Sequence, residues 1–327
     1  MRSRDLAILL IVLVGLVGVY LIVRQPLAPA GRGIGADAGA LLPRFQPETV
    51  TSIVLGSGPE SLALVSEEGV WMIAGNPRRF AERARVDHAL GMLAALTREE
   101  LVSIVPDKHV VFEVDRVSGR RVVLLAGADT LAALFIGKPG PSGLDSYVRL
   151  ADEDEVYLSP RGLAASVPRR PEHWRDRVVL PFDPNDVTTI SVDRGGLEIV
   201  LERGGAGSWT AREPEEFLAD SGACDRLLLT MADLRAVGFA DDISLSEAGL
   251  DIEGGQSPVA TVEAGLESGM TAALWIGSRT DDAYYARRPD RTTVYLLSPR
   301  TVDFMLGDPS VYRPTDKGRQ DDFPPNR

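Results

Sequence analysis

Short runs of apolar and β-branched residues, separated by glycine-rich turns, recur along this chain, and this pattern predicts β-strands. The predicted strands are 50–55, 62–65, 70–73, 122–125, 131–136, 146–150 and 155–158, and then 187–192, 197–201, 208–210, 259–263, 272–276, 283–287 and 293–297. Two segments instead place apolar residues three or four positions apart, which is the spacing of one helical face. They are Val86, Leu90, Leu93 and Leu96, and Cys224, Leu228, Met231 and Leu234. Strands joined by short turns outnumber the helices, so mainly antiparallel sheets are expected.

The predicted elements occur twice in the same order, which indicates a duplicated domain. Corresponding landmarks are Trp71 and Trp209, Pro77 and Pro214, Ile136-Gly137 and Ile276-Gly277, and Val156-Tyr157-Leu158 and Val294-Tyr295-Leu296. Each copy has the usual size of a domain with its own core rather than that of a solenoid repeat. The sequence therefore predicts an α+β fold with two tandem repeats, 45–180 and 181–308, each a mainly antiparallel sheet packed with a helix.

An uninterrupted apolar run, residues 6–23, precedes the duplicated region. As a helix this run is about 27 Å long, which is close to the hydrocarbon thickness of a bilayer. Arg2 and Arg4 come before it, so the positive-inside rule keeps the N-terminus in the cytoplasm and places the bulk of the chain outside. We expect a single-pass inner-membrane protein whose residues 24–44, rich in alanine, glycine and proline, form a flexible tether. A cleaved signal peptide that ends near Ala28-Pro29-Ala30 is the alternative.

The net charge and the cysteine count argue against two features, a nucleic-acid partner and an intrachain disulfide. The formal net charge of −12 argues against nucleic acid as a partner, because phosphates attract a concentrated basic surface. The single cysteine, Cys224, excludes an intrachain disulfide, and its place on an apolar helix face predicts that it packs in a core. The polar, proline-containing stretch 309–327 is predicted to be disordered.

Candidate chemistry is sparse. The sequence contains no zinc-protease, paired-cysteine, nucleophile-elbow or phosphate-loop pattern, so no catalytic residue, cofactor or metal ligand is assigned. Residues two positions apart share one face of a strand. The candidate contacts for a ligand or partner are therefore two such pairs, Tyr147 with Arg149 and Tyr285 with Arg287. Each pair offers a phenol and a guanidinium to a carboxylate or sugar. The alternative is a half-exposed tyrosine beside an arginine that pairs with a neighbouring acid. The acidic run 152–155 is predicted to be a charged hairpin turn rather than a calcium loop.

Taken in order, these landmarks resemble a bacterial family known as the domain of unknown function 4340. The resemblance rests on the N-terminal apolar segment, Trp71, Leu90-x-x-Leu93-x-x-Leu96, Ile136-Gly137, Tyr147-x-Arg149 and Val156-Tyr157-Leu158, and on their counterparts in the second copy. It implies a protein encoded beside components of exporter-type ABC transporters that resemble the gliding-motility auxiliary system. It carries over no catalytic residue.

The favoured expectation is a membrane-anchored extracytoplasmic accessory or scaffold protein without catalysis. Its expected partners are the membrane, through residues 6–23, and a permease or auxiliary subunit of an ABC-type transporter. An extracytoplasmic binding module for a glycan or a small anion is the first alternative, and an envelope hydrolase is the second.

Overall fold

The computed structural model describes residues 39–42, 45–56, 61–75, 77–98 and 100–314. The predicted membrane helix, most of the predicted tether and residues 315–327 lie outside these ranges. Within them, no helix combines the length and the apolar character that crossing a bilayer requires. The chain divides after Asp176 into two compact units, whereas the sequence suggested a division after residue 180.

The first unit is one antiparallel sheet of nine strands with two helices. Its strands are β1 (Ser52–Leu55), β2 (Leu62–Glu67), β3 (Val70–Ile73), β4 (Arg79–Phe80), β5 (Leu101–Ser103), β6 (Arg120–Ala126), β7 (Asp129–Pro139), β8 (Ser146–Leu150) and β9 (Val156–Leu158). Their order across the sheet is β4-β3-β2-β1-β6-β7-β8-β9-β5. The helices are α1 (Arg83–Ala94) and α2 (Leu163–Ser166).

Helix α1 covers one face of this sheet. The apolar residues that the helical spacing singled out are all buried, and Val86, Leu90 and Leu93 belong to one core with Val122 and Leu124 of the central strand β6. Because side chains alternate along a strand, the residues between them on β6 face the opposite side of the sheet. The prediction of a helix packed on an antiparallel sheet is confirmed for this unit.

The second unit repeats the same plan. Its strands are β10 (Val187–Arg194), β11 (Leu197–Arg203), β12 (Trp209–Glu213), β13 (Phe217–Ala219), β14 (Gly238–Phe239), β15 (Ala260–Leu266), β16 (Thr271–Arg279), β17 (Tyr284–Arg287) and β18 (Val294–Leu297). They lie in the order β13-β12-β11-β10-β15-β16-β17-β18-β14, which matches the first sheet strand for strand. The helices are α3 (Ser221–Ala232) and α4 (Pro299–Met305).

The register of the central strands shows that the two units share one frame. Ile53 pairs with Leu124 in the first sheet, and Ile190 pairs with Ala264 at the equivalent place in the second. All four side chains are buried against the helix of their own unit. Cys224, at the place that Val86 takes in the first unit, lies wholly buried in the second core, as its position on the helix predicted.

The ordered part of the second unit extends beyond its predicted end. Residues Pro309–Tyr312 form a short 3-10 helix, and the ring of Tyr312 is buried in the second core. The backbone N–H of Asp220 donates to the Tyr312 carbonyl over 2.8 Å, and the carboxylate of Asp308 accepts from the Ser310 N–H. The prediction that disorder begins at 309 is therefore wrong for Pro309–Tyr312, because a capped turn and one buried aromatic ring fix this segment to the core.

Candidate functional site

Tyr147 and Arg149 lie on strand β8 and share a face, as the spacing predicted. This face is the one turned away from α1, since Val148 and Leu150 between and beside them belong to the helix-side core. The segment that follows β5 covers this part of the open face, and its residue Val114 is buried there. The first candidate pair therefore lies beneath a covering segment.

Arg149 is buried, and backbone carbonyls occupy its guanidinium. Its Nε donates to the Val114 oxygen over 3.0 Å, and one terminal nitrogen donates to the oxygens of Leu150 at 2.9 Å and Glu153 at 2.7 Å. The guanidinium carbon also lies 4.8 Å from the centre of the Phe135 ring. Burial lowers the pKa of Arg149. Arg149 thus joins the covering segment and the β8–β9 turn to the sheet, and its hydrogen-bond partners are carbonyls rather than the carboxylate that the alternative interpretation expected.

Tyr147 packs rather than presents its hydroxyl beside Arg149. Its ring is half-buried and stands 4.7 Å, centre to centre, from the ring of Phe112 in the covering segment. The same cluster includes Val114, Phe135 and Val156. The contacts of the first pair are therefore those of a packed aromatic and a backbone-bonded arginine.

Besides Arg149, two side chains hold the acidic turn between β8 and β9. The carboxylate of Glu153 accepts two hydrogen bonds of 2.7 Å from the guanidinium of Arg98, which also donates to the Tyr157 hydroxyl at 3.1 Å. These bonds raise the pKa of Arg98. The ring Nε2 of His109 lies 2.8 Å from the Asp154 carbonyl oxygen. Across the described ranges, no group of three or more histidine, cysteine or acidic residues is placed to hold a metal ion.

The second candidate pair, Tyr285 and Arg287 on β17, has different surroundings. Tyr285 packs in a cluster with Trp275, Leu250 and Val294 on the face away from α3. The guanidinium carbon of Arg287 lies 5.2 Å from the Trp275 ring centre, just as Arg149 lies over Phe135. The Nε of Arg287, however, is buried and makes no hydrogen bond within the part of the chain that the structure describes.

The covering segments of the two units correspond, so the difference between the arginines is local. A Cβ atom placed on Gly137 would overlap the carbonyl oxygen of Phe112, and one placed on Gly277 would overlap that of Ala248. Glycine is thus needed in both units because the covering segment passes close to the strand. Among the described residues, the Nε of Arg287 has no counterpart to the bond that the Nε of Arg149 makes to its covering segment. A guanidinium stacked on an indole with an unused buried donor can bind a carboxylate or another small anion.

Cys224, the single cysteine of the sequence, lies in the core of the second unit and not in a surface pocket where its thiol could react. Burial raises the pKa of its thiol to about 12, so the thiolate needed for nucleophilic attack does not form near neutral pH.

One exposed feature was not singled out from the sequence. The segment 101–105 exposes four aliphatic side chains, and its middle residue is a serine. The four are Leu101, Val102, Ile104 and Val105. The signal in the sequence is an aliphatic run without the polar alternation of a half-buried strand, and it begins with the three-residue strand β5.

Comparison with known proteins identifies the family. The model of the family described as "Domain of unknown function (DUF4340)" matches residues 71–253 and 209–306, which together cover more than half of the chain. Two overlapping matches agree with two tandem copies. Comparisons with curated proteins and with solved structures give no match. The chain therefore belongs to the DUF4340 family.

Proposed function

We propose that this chain is a membrane-anchored extracytoplasmic scaffold that binds another protein of the envelope without catalysing a reaction, in association with an ABC-type transporter. The observation that carries the proposal is the exposed aliphatic run that starts at β5 in the first unit. Contiguous exposed apolar surface on a folded protein is typical of a site that binds another molecule.

The membrane anchor is proposed from the apolar run 6–23 and from Arg2 and Arg4 before it. The association with a transporter is proposed from the resemblance described above, which implies a protein encoded beside components of exporter-type ABC transporters that resemble the gliding-motility auxiliary system. Both units would then stand on the outer side of the membrane, where an accessory subunit can reach the exposed parts of a permease.

Two measurements test this proposal. A reporter that is active only outside the cytoplasm, fused after residue 327, should be active, and activity of a cytoplasmic reporter at the same place would contradict the topology. The full chain, crosslinked in its native membrane, should co-purify with a permease or auxiliary subunit of an ABC transporter. A matched chain in which 6–23 is replaced by an unrelated membrane helix should keep this partner, because the contact is assigned to the folded units. Recovery of the chain without any transporter subunit would contradict the association.

A binding module for a small anion is the second candidate function, and the unused buried donor of Arg287 favours it. Glucuronate, which combines a carboxylate with a sugar, is a suitable probe for calorimetry. We expect Arg287→Gln to abolish binding while the fold is retained, and Arg149→Gln to leave binding unchanged because the Arg149 donors face backbone carbonyls. Equal binding by wild type and Arg287→Gln would reject this candidate.

A further inference from the structure

Strand β5 forms one border of the first sheet. It pairs with β9 on one side, and no other described strand lies along its outer side. Leu101 is opposite Tyr157, and the Leu158 N–H donates to the Glu100 carbonyl over 2.9 Å beside this pair. In an antiparallel ladder such a bond flanks a pair that is not itself hydrogen-bonded, so the N–H and C=O of Leu101 point away from β9. These two backbone groups are available to a further strand.

The side chains along this border are aliphatic and exposed on both faces of the sheet. Leu101, Val102, Ile104 and Val105 are 52%, 41%, 64% and 43% exposed. The backbone stays extended as far as Val105, with φ −99° and ψ 115°, before a 3-10 helix begins. We call residues 101–105 the β5 edge. An exposed strand edge with aliphatic side chains is a template for pairing with another chain, and folded proteins normally protect such edges.

The second unit protects the equivalent edge. Strand β14 has two residues instead of three, and its Phe239 is half-buried. The acidic residues Asp241 and Asp242 follow it where the first unit has Ile104 and Val105. Since both sheets have the same strand order, the fold itself does not require an aliphatic edge. The exposure of the β5 edge is therefore specific to the first unit.

Charges at the two ends of the β5 edge indicate which strand it would accept. The exposed carboxylates of Glu100 and Asp107 bracket the uncharged segment. If two copies of this chain paired their β5 edges in antiparallel fashion between Ser103 and Ile104, Glu100 of each copy would approach the 3-10 turn that carries Asp107 of the other. Like charges would then meet at both ends of the strand pair and oppose it. A strand from another protein with basic residues at its ends would instead be attracted.

We propose that the β5 edge binds an extended, uncharged aliphatic segment of another protein, flanked by basic residues, as an additional strand of the first sheet. In this mode the main-chain hydrogen bonds supply affinity, and the alternating side chains and terminal charges supply specificity. The inference rests on the proposed scaffold function, for which it names the docking surface and the chemistry of the partner segment.

The test uses the full chain in detergent micelles and a fluorescent peptide, Lys-Lys-Thr-Val-Thr-Val-Ile-Val-Lys-Lys. We expect saturable binding that slows hydrogen exchange at the amide of Leu101, whose N–H points away from β9. The same peptide with alternate backbone nitrogens methylated cannot pair along that side and should bind at least about tenfold more weakly. No binding, equal binding of the methylated peptide, or slowed exchange only elsewhere in the chain would overturn the proposal.

Two lysine variants locate the contact. Ile104→Lys places a positive charge in the β5 edge, and we expect peptide binding at least about tenfold weaker than in the wild type. Val237→Lys is the matched control, because Val237 is 55% exposed directly before β14 and belongs to the other unit. Its binding should equal that of the wild type. Equal loss in both variants would overturn the proposal, and so would a concentration-dependent dimer that Ile104→Lys abolishes, since the occupant would then be a second copy.

The outcome separates this inference from the proposed function. If the peptide binds as expected but no transporter subunit co-purifies with the full chain, the transporter association fails and the docking surface remains. If a transporter subunit co-purifies equally with the wild type and with Ile104→Lys, and the peptide does not bind, the docking surface fails and the association remains.

Discussion

Arg149 and Arg287 occupy equivalent strand positions in the two units, and each stacks on the aromatic residue of the neighbouring strand, Phe135 or Trp275. Arg149 makes three hydrogen bonds to backbone carbonyls, whereas the buried Nε of Arg287 has no such bond in the part of the chain that the structure describes. The stacking position is thus common to both units, but the role of the guanidinium is not. In the first unit it joins a covering segment to the sheet, and in the second its buried Nε has no hydrogen-bond partner among the described residues.

The outer edges of the two sheets also differ, but here the first unit is the more accessible one. The first unit exposes an aliphatic edge at β5, while the second ends in the short strand β14 followed by two acidic residues. The first unit, in which carbonyls occupy the arginine, is therefore the unit whose outer sheet edge is exposed. The helix-side cores, by contrast, bury apolar residues at equivalent positions, such as Leu93 and Met231 on the helices and Ile53 and Ile190 on the central strands. The two units therefore share their helix-side core, and they differ on the open face and at the outer edge of the sheet.

The largest expected effect concerns the shared frame. Leu93 and Met231 occupy equivalent positions on α1 and α3, and both are fully buried. Leu93→Ala and Met231→Ala each remove several methylenes from a packed core, so we expect each to lower the free energy of unfolding by about 2–5 kcal/mol. Urea unfolding of residues 39–314, followed by tryptophan fluorescence, measures this change.

The exposed sides of the same helices provide the control. Arg226→Ala should change the free energy of unfolding by no more than about 0.5 kcal/mol, since the side chain is exposed. His88→Ala should do the same, although its ring lies 3.1 Å from the Ser166 hydroxyl oxygen and loses that contact. If these changes cost as much as the core truncations, the equivalence of α1 and α3 would be disproved.

A smaller effect is expected where the covering segments approach the strands. A Cβ atom on Gly137 would come within 2.8 Å of the Val114 side chain, and one on Gly277 within 2.8 Å of that of Leu250. Gly137→Ala and Gly277→Ala should therefore push each cover outward and destabilise by about 1–3 kcal/mol. Hydrogen exchange of each covering segment should rise in its own unit only. Gly91→Ala is the control, because open space surrounds that glycine, and it should not destabilise.

The frame could be predicted because its signals are local and occur twice. The helical spacing of Val86, Leu90 and Leu93 defines a face that one sheet buries, and strand β3 and strand β8 begin and end where the apolar runs do. The short strands β4, β5, β13 and β14 were not predicted, since two or three residues are too few to show a period.

The surroundings of the candidate site could not be predicted for a different reason. The shared face of Tyr147 and Arg149 follows from strand geometry, and the structure agrees with it. The acceptors of Arg149, however, include the Val114 carbonyl, 35 residues away in a segment without periodic pattern. Carbonyl groups are present in every residue, so the sequence carries no mark of which ones will face an arginine.

The two arginines should respond differently to the same neutral substitution. Arg149→Gln leaves buried carbonyls without their donors, so we expect a loss of about 1–3 kcal/mol in the free energy of unfolding. Arg287→Gln removes a guanidinium whose buried Nε has no hydrogen-bond partner among the described residues, so we expect the smaller loss of about 0.5–1 kcal/mol that goes with the contact to Trp275. Parallel urea titrations of both variants measure the difference. A loss at Arg287 equal to that at Arg149 would mean that both side chains serve the fold, and the anion-binding candidate would lose its support.

The effect that is smallest at pH 7 concerns Cys224, which gives the second unit a pH dependence in alkaline solution. Burial raises the pKa of the Cys224 thiol to about 12, whereas an unfolded cysteine titrates near about 8.5. Between these values the unfolded chain has released the thiol proton and the folded chain retains it, so stability falls as the pH rises from about 8.5 towards 12.

The first unit carries Val86 at the same helix position, which makes Cys224→Val the natural exchange. At pH 7 this exchange should change the free energy of unfolding by less than about 1.5 kcal/mol. Between pH 8.5 and 10.5 the variant should lose less stability than the wild type, and the remaining loss is assigned to Tyr312, whose pKa burial also raises to about 12. Urea titrations at four pH values in this range decide the matter, and identical slopes for the two proteins would show that Cys224 is ionised as freely in the folded unit as in the unfolded chain.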